Sequence, residues 1–402
     1  MAQWLQEHGC THVAMESTGV YWKPPYNVLE RHAFAEVLVV NAQHMKAIPD
    51  RKTDVKDAEW IADLLRHGLL RSSYIPSREQ REQRELVRYR KSLVQERTRE
   101  VNRLQKVLEG ANTKLSSVAT DVLGVSGRAI LDALVSGTES PEVLAELAMG
   151  RLRDKREDLI LALHGLLGNH QKMMIQTQLE HIDFLDGQIA ELDQKIEAQM
   201  RPFEEEVERL DVIPGIGRTT AEAILAEIGT QMDCFPTTAH LCSWAGVAPG
   251  NHESAGKRKS GRTTQGNPAL RCTLVEAARS APQTKNTHLS EQYHRIAARR
   301  RANRAAVAVA HTMLVIIYHM LTRYETYRDG SQLLRSATQG PNGQQRGEEV
   351  GESGIHGHHY ARNTRRVGYV YYHRSPPRLI RMCRACFSMR YFQPGGDLFS
   401  AG

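Results

Sequence analysis

Thr11–Asn41 reads THVAMESTGVYWKPPYNVLERHAFAEVLVVN, and it sets the class of the amino-terminal fold. Thr11–Met15 is a short apolar strand ending at Glu16, and Ser17-Thr18-Gly19 turns the chain. Tyr21–Arg31 has helical character, and Ala35–Asn41 is a run apolar enough for a strand buried on both faces. Beyond a basic turn at Arg51 and Lys52, the helical period resumes over Asp54–Arg66, where Val55, Ala58, Ile61, Ala62 and Leu65 share a face. Strand, helix, strand, helix predicts an α/β domain with at least one parallel pair, and Leu69–Ile75 is expected to add an edge strand. One short strand is a thin opening for a parallel sheet, so the sequence reads as an incomplete domain that lacks a strand in front.

Outward from this stretch the chain turns helical. Arg78–Lys106 carries ten basic and five acidic residues around a stripe of Leu86, Leu93, Val101, Leu104 and Leu108, and predicts one long helix to about Leu115. Val118–Gly168 reads as shorter helices broken near Gly124, Gly127 and Gly137. Ile182, Leu185, Ile189, Leu192 and Ile196 alternate by three and four, a heptad seam that fits an antiparallel helical pair, a subunit-joining coiled coil or plain internal packing.

Val207–Gly229 (VERLDVIPGIGRTTAEAILAEIG) predicts a helix ending near Asp211, a tight turn at Pro214-Gly215-Ile216-Gly217 and a second helix from Thr219 to Ile228. Backbone N–H groups at such a turn and helix start can take a DNA phosphate, which makes Gly215 and Gly217 nucleic-acid candidates; the bland alternative is a packing corner. Gly246–Asn267 (GVAPGNHESAGKRKSGRTTQGN) has five glycines and neither a helical nor a strand period, so it reads as a loop. Lys257, Arg258, Lys259 and Arg262 repel one another unless a polyanion or water screens them, and Ser254 lies just before them, where its hydroxyl could face a bound phosphate. Short helices follow at Pro236–Trp244, Pro268–Ala278 and His288–Arg301. The last ends in a basic cluster with Arg299, Arg300 and Arg301 beside the apolar helix from Ala305. That helix is interrupted by His311 and His319 and is short for a membrane span, so it reads as a buried helix.

The formal charge of +7 favours a polyanionic partner, while only 6% aromatic residues argue for backbone charge over stacked bases. Cys10, Cys234, Cys242 and Cys272 are expected to be buried thiols of a reducing, cytoplasmic compartment. Cys383 and Cys386, with His373, make a weak zinc pattern. From residue 329 to 402 the composition turns to Gly, Arg, Gln and Ser without sustained period, and a disordered tail is expected.

Three carboxylates complete the list of candidates. Glu16 follows a strand, and Asp54 and Asp57 share a face at the positive end of a helix, where hard oxygen ligands suit Mg²⁺. First-turn acids are equally suited to capping their helix.

VAMESTGVYW at Val13–Trp22, RKTDVKDAEWIADLLRHG at Arg51–Gly68, IPGIGRTTAEAILAEIG at Ile213–Gly229 and the Trp244–Arg271 stretch together closely resemble the DEDD transposases of insertion-sequence family one hundred and ten, in its subgroup allied to insertion sequence eleven-eleven. The resemblance runs to about Tyr327 and implies an RNase H-like, RuvC-like first domain whose acids Asp, Glu, Asp, Asp bind magnesium. Glu16, Asp54 and Asp57 match the second to fourth, and the first has no counterpart. It implies further a serine nucleophile at Ser254, DNA cleavage and rejoining, a guide RNA, and homodimers that pair into larger assemblies on element DNA in the nucleoid. The expected domains are a partial RuvC-like domain at 1–77, a helical coiled-coil region at 78–200, a helical transposase domain with a helix-hairpin-helix at 201–328, and the tail. The abrupt start and the break after Arg328-Asp329 read as an N-terminally truncated, frameshifted gene copy. Two other functions fit the same residues: a DNA-binding remnant without chemistry, and a metal-dependent junction nuclease that uses water.

Overall fold

The computed structural model describes residues 1–17, 19–41, 54–138, 140–250, 252–254, 257–260, 263 and 265–329; at 54–56, 252–254 and 257–260 the description covers the backbone alone. The chain divides into two compact units, Met1–Ile75 and the unit that begins at Pro76.

The first unit opens with helix α1 (Ala2–Glu7) and strand β1 (His12–Glu16). Helix α2 (Lys23–Leu29) starts on Pro24 and Pro25, whose fixed φ suits a first turn, and leads to β2 (Glu36–Val40). The two strands pair in parallel, with His12 opposite Glu36 and Glu16 opposite Val40. Leu38, Val39 and Val40 are buried, as a strand covered on both faces requires. Helix α3 (Asp54–Arg66) packs against β1. The expected edge strand at Leu69–Ile75 is reduced to a single bridge from Ser72 to Val40, with the Ser73 N–H donating to the Val39 carbonyl at 2.7 Å. Ser72 and Ser73 offer little apolar side chain to hold a longer pairing. A small parallel sheet with flanking helices is consistent with part of an RNase H-like fold.

The second unit is almost wholly helical. Its axis is α4 (Arg78–Gly110), capped by the Ser77 hydroxyl. Short helices α5 (Leu115–Val118), α6 (Val125–Val135), α7 (Pro141–Glu146) and α8 (Arg156–Leu163) gather at its far end, and α9 (Asn169–Met200) returns along it. Gly124 and Gly137 flank α6 as expected of breakers, but Gly127 lies inside it. A Cβ on Gly127 would stand 2.2 Å from the Val122 carbonyl oxygen, so this glycine serves close backbone approach and not a break.

The ion pairs settle the direction of α9. Gln83 reaches the Gln199 carbonyl, Arg90 pairs with Asp193, Arg97 with Asp186, and His181 faces Glu100 at 3.8 Å. Residue numbers rise along one helix as they fall along the other, so the heptad seam closes within the chain as an antiparallel pair. Ile182, Leu185 and Leu192 are buried in it against Leu93, Leu104 and Leu108 of α4, and Ile196 is buried against Leu86 and Val87 nearer the start of α4. Each fully buried leucine stabilises the pair by about 1.5–3 kcal/mol.

Beyond α9 come α10 (Glu204–Asp211), α11 (Arg218–Ile228), α12 (Thr238–Trp244), α13 (Pro268–Ser280), α14 (His288–Arg300) and α15 (Ala302–Arg323). Helix α15 is long and apolar enough to cross a membrane by length and composition. Its apolar face, with Val309, Met313, Leu314 and Ile317, is buried against α12, α13 and α14. After it the chain folds back, and the Asp329 carboxylate accepts from the His288 N–H at 3.0 Å, helping Thr287 cap α14. Residues 330–402, with Cys383, Cys386 and His373, lie outside the described residues.

The cysteines depart from expectation. Cys242 is buried, Cys10 is partly exposed, and Cys234 and Cys272 are exposed. Cys272 sits on the outer face of α13 and Cys234 in a 3₁₀ turn, where neighbouring apolar letters in sequence say nothing about which side faces in.

Candidate nucleic-acid interface and acidic site

Helices α10 and α11 form the helix-hairpin-helix. The turn closes through the Ile213 N–H to Leu210 and the Ile216 N–H to Ile213, and both isoleucines are buried. Gly215 has φ +89°, and a Cβ there would stand 2.4 Å from the Ala277 carbonyl oxygen and 2.8 Å from the Ala281 nitrogen. The turn is therefore docked on the end of α13. Gly217 is exposed and precedes α11 with no side-chain cap, so the first N–H groups of that helix are of the kind a helix leaves unpaired. Arg218 forks onto Glu204 at 2.5 and 2.7 Å and reaches Glu222 at 3.1 Å.

The Ser254 segment is not the structureless loop its letters predict. β3 (His252–Ser254) and β4 (Lys257–Ser260) form an antiparallel hairpin, with Ser254 opposite Lys257 and a bulge between His252 and Glu253; a bridge between Pro249 and Thr263 prolongs it. Strands of only three and four residues are too short for an alternating pattern to show, which is why no period marks them. Ser254, Lys257, Arg258 and Lys259 thus lie at the hairpin end. Arg262 and Lys52 lie outside the described residues. Arg299 and Arg300 close α14, and Arg301 links it to α15 at φ +75°, a conformation that suits glycine; all three are exposed.

Below the hairpin is a polar knot that the sequence reading did not single out. Glu227, at the end of α11, is 4% exposed. Its carboxylate accepts from Arg88 Nε at 2.6 Å and Nη2 at 2.8 Å, and from Asn267 Nδ2 at 2.6 Å. Arg84 donates to the Ala226 carbonyl at 3.1 Å and to that of Glu227, and lies over the Trp244 ring at 5.5 Å. Asn267 in turn caps α13 through the Ala269 and Leu270 N–H groups, and its own N–H donates to the Trp244 carbonyl at 2.8 Å. A Cβ on Gly266 would lie 2.3 Å from the Gly246 nitrogen, so the two feet of the hairpin segment cross in contact. The one available signal was an Asn-Pro pair at the start of α13, which marks a cap but not its partner.

In the first unit, Glu16 is the last residue of β1, and the Ser17 N–H donates to the Val40 carbonyl at 2.8 Å. Asp54 opens α3, the helix packed on β1, with Asp57 one turn on and half-buried. Among the described residues no group of three or more His, Cys, Asp and Glu side chains stands ready for one ion. The three acids nonetheless sit on two elements in mutual contact, and their oxygens are the donor type that Mg²⁺ takes.

Residues 1–113 match the DEDD transposase signature of the insertion-sequence 110 type, and residues 207–294 match the signature described as “Transposase IS116/IS110/IS902 family”. The chain belongs to that transposase family. Its relatives within the family include the transposase for insertion sequence element IS1111A of Coxiella burnetii, 26% identical over 298 residues that make up 73% of each chain. A second is a “Probable family 20 transposase” of Pseudomonas aeruginosa, 27% identical over 326 residues, 79% of this chain and 86% of that one. The two family signatures cover the strand-end acids and the helix-hairpin-helix with the serine hairpin.

Proposed function

We propose that this chain is a DNA transposase and recombinase that cuts and rejoins strands through Ser254. The reading rests chiefly on one observation: within a region bearing a transposase signature, a short hairpin with Ser254 at the end of one strand and Lys257–Lys259 in the next is built on a helix-hairpin-helix. The Ser254 hydroxyl attacks the scissile phosphorus, forming a phosphoserine ester as the bond to one deoxyribose oxygen breaks. That oxygen leaves as a hydroxyl with the proton the serine gives up. A hydroxyl of the receiving strand then attacks the phosphoserine and frees the serine, so the phosphodiester energy is conserved.

Lys257, Arg258, Lys259 and Arg262 offset phosphate charge beside the serine, while Lys52, Gly215, Gly217, Arg299, Arg300 and Arg301 hold flanking duplex or a guide RNA. Glu16, Asp54 and Asp57 would hold Mg²⁺, which when bound supplies positive charge to a phosphate oxygen. A RuvC-like fold for the first domain, a homodimer or higher assembly, and a cytoplasmic, nucleoid-associated location belong to the same reading.

Denaturing electrophoresis of the protein with Mg²⁺ and DNA carrying the ends of its own element tests it. A covalent protein–DNA adduct that vanishes in Ser254→Ala, with DNA binding kept within about twofold, is expected. Hydrolysed ends with no adduct would identify a junction nuclease; an adduct that persists in the variant would remove Ser254 from the role.

A further inference from the structure

We propose that Glu227 is the positioning residue of the serine hairpin, fastening both of its feet to the long helix α4. The inference rests on the reading of Ser254 as nucleophile for its meaning, but not for its geometry. Trp244 and Asn267 bracket the segment that carries the hairpin, and they are bonded to each other through the 2.8 Å contact between the Asn267 N–H and the Trp244 carbonyl. The Trp244 foot lies under Arg84, and the Asn267 foot is bonded to Glu227, which Arg88 grips through both oxygens. Arg84 and Arg88 are successive turns of α4.

The knot has few spare valences. Asn267 spends its amide on Glu227 and its carbonyl oxygen on the first N–H groups of α13. Glu227 is too buried to exchange these partners for bulk water. With Gly266 against the Gly246 backbone, the feet cannot slide past each other without breaking contact. A rotation of α4 at Arg84 and Arg88 therefore carries the hairpin with it, and the serine is presented at an angle that α4 sets.

The donor–acceptor logic supplies the test. Glu227→Gln sets an amide against the Asn267 amide or against Arg88, whichever way it turns. Asn267→Asp still caps α13 but sets a carboxylate against the Glu227 carboxylate. The double variant Glu227→Gln with Asn267→Asp restores a donor facing an acceptor across the 227–267 contact, with the same total charge. Arg88 Nη2, which shares that Glu227 oxygen with Asn267, loses its acceptor in the double, while Arg88 keeps its Nε bond. Amide hydrogen exchange on the full chain should show residues 246–266 exchanging about tenfold faster in each single variant, with the α4–α9 pair still protected, and the double returning most of the way to the parental rate. Trp244 fluorescence should shift in the singles and return in the double. Unchanged exchange at 246–266, acceleration spread evenly over the unit, or a double variant no better than the singles would each overturn the assignment. Adduct yield on element-end DNA forms a separate arm. Loss in the singles and recovery in the double supports the assignment, and undiminished yield in the singles overturns it. If even the parental protein forms no adduct, the serine reading fails, while the exchange data still decide the role of Glu227.

Discussion

At the scale of single residues, Gly215 shows how one position answers to two demands. Its turn was singled out for phosphate contact, yet its missing side chain is first required by the backbone of Ala277 and Ala281. Both neighbours are main chain at the end of α13 and cannot swing aside, and φ +89° is itself unfavourable for an L-residue. Gly215→Ala is therefore expected to destabilise the second unit by about 2–4 kcal/mol, read as a lower urea midpoint with unchanged slope. Gly217→Ala, at φ −107° with only an Asp211 oxygen 3.9 Å from its Cβ, should change that midpoint little, so DNA binding can be tested there without loss of fold. The glycines themselves were legible as a turn because the signal is local. Their docking surface was not, since it lies some sixty residues away in α13. Glu227 was hidden for the same reason: within LAEIG it looks like an ordinary polar helix residue, and its meaning comes from Arg88 and Asn267, each far off in the chain.

Among the elements, the α4–α9 pair was the most readable, because a three-and-four apolar spacing constrains a helix face whatever its partner. The partner itself was not written in the pattern; the crossing ion pairs decided it. One of the pairs at the far end gives a pH test. Arg128 of α6 bonds Asp183 of α9 at 2.8 Å through Nη2, and this hydrogen bond holds the Asp183 carboxyl below its usual 3.8; burial, the next effect in size, pushes the other way, and the guanidinium charge adds a smaller lowering. A lowered carboxylate value means stability that is fully present above pH 3.8 and is lost as pH falls through the lower folded-state value. Because Asp183 is half-exposed, solvent and salt screen the pair, and the loss is expected to be no more than about 1 kcal/mol. Exchange protection of α6 should therefore drop below pH 3.8 in the parental chain, whereas Asp183→Asn should already sit at the lower level at neutral pH and show no such step. The Ser254 hairpin is the opposite case in legibility: its strands are three and four residues long, too short for alternation to appear in the letters.

For the molecule as a whole, the division at Ile75 and Pro76 separates a small sheet unit from a helical one with several cores of its own. The cluster of Leu104, Ile130, Leu159 and Ile175 at the far end of α4, and that of Ile196, Met200 and Ala226 near its start, draw every member from beyond Pro76. A fragment from Pro76 to Asp329 is thus expected to fold alone, with a helical circular dichroism spectrum and a cooperative thermal transition. A non-cooperative, largely unordered fragment would show that these cores do not suffice. Ending it at Asp329 keeps the carboxylate that caps α14.

The span of α4 gives the clamp near its start a mechanical meaning. Thirty-three residues at a rise of 1.5 Å make a rod of about 50 Å. Pivoting it by about 5° at its base swings the opposite tip through about 4 Å, roughly the spacing of adjacent strands. Whatever grips that remote tip therefore bears, by leverage, on the attitude of the hairpin that Asn267 and Trp244 anchor at the other end.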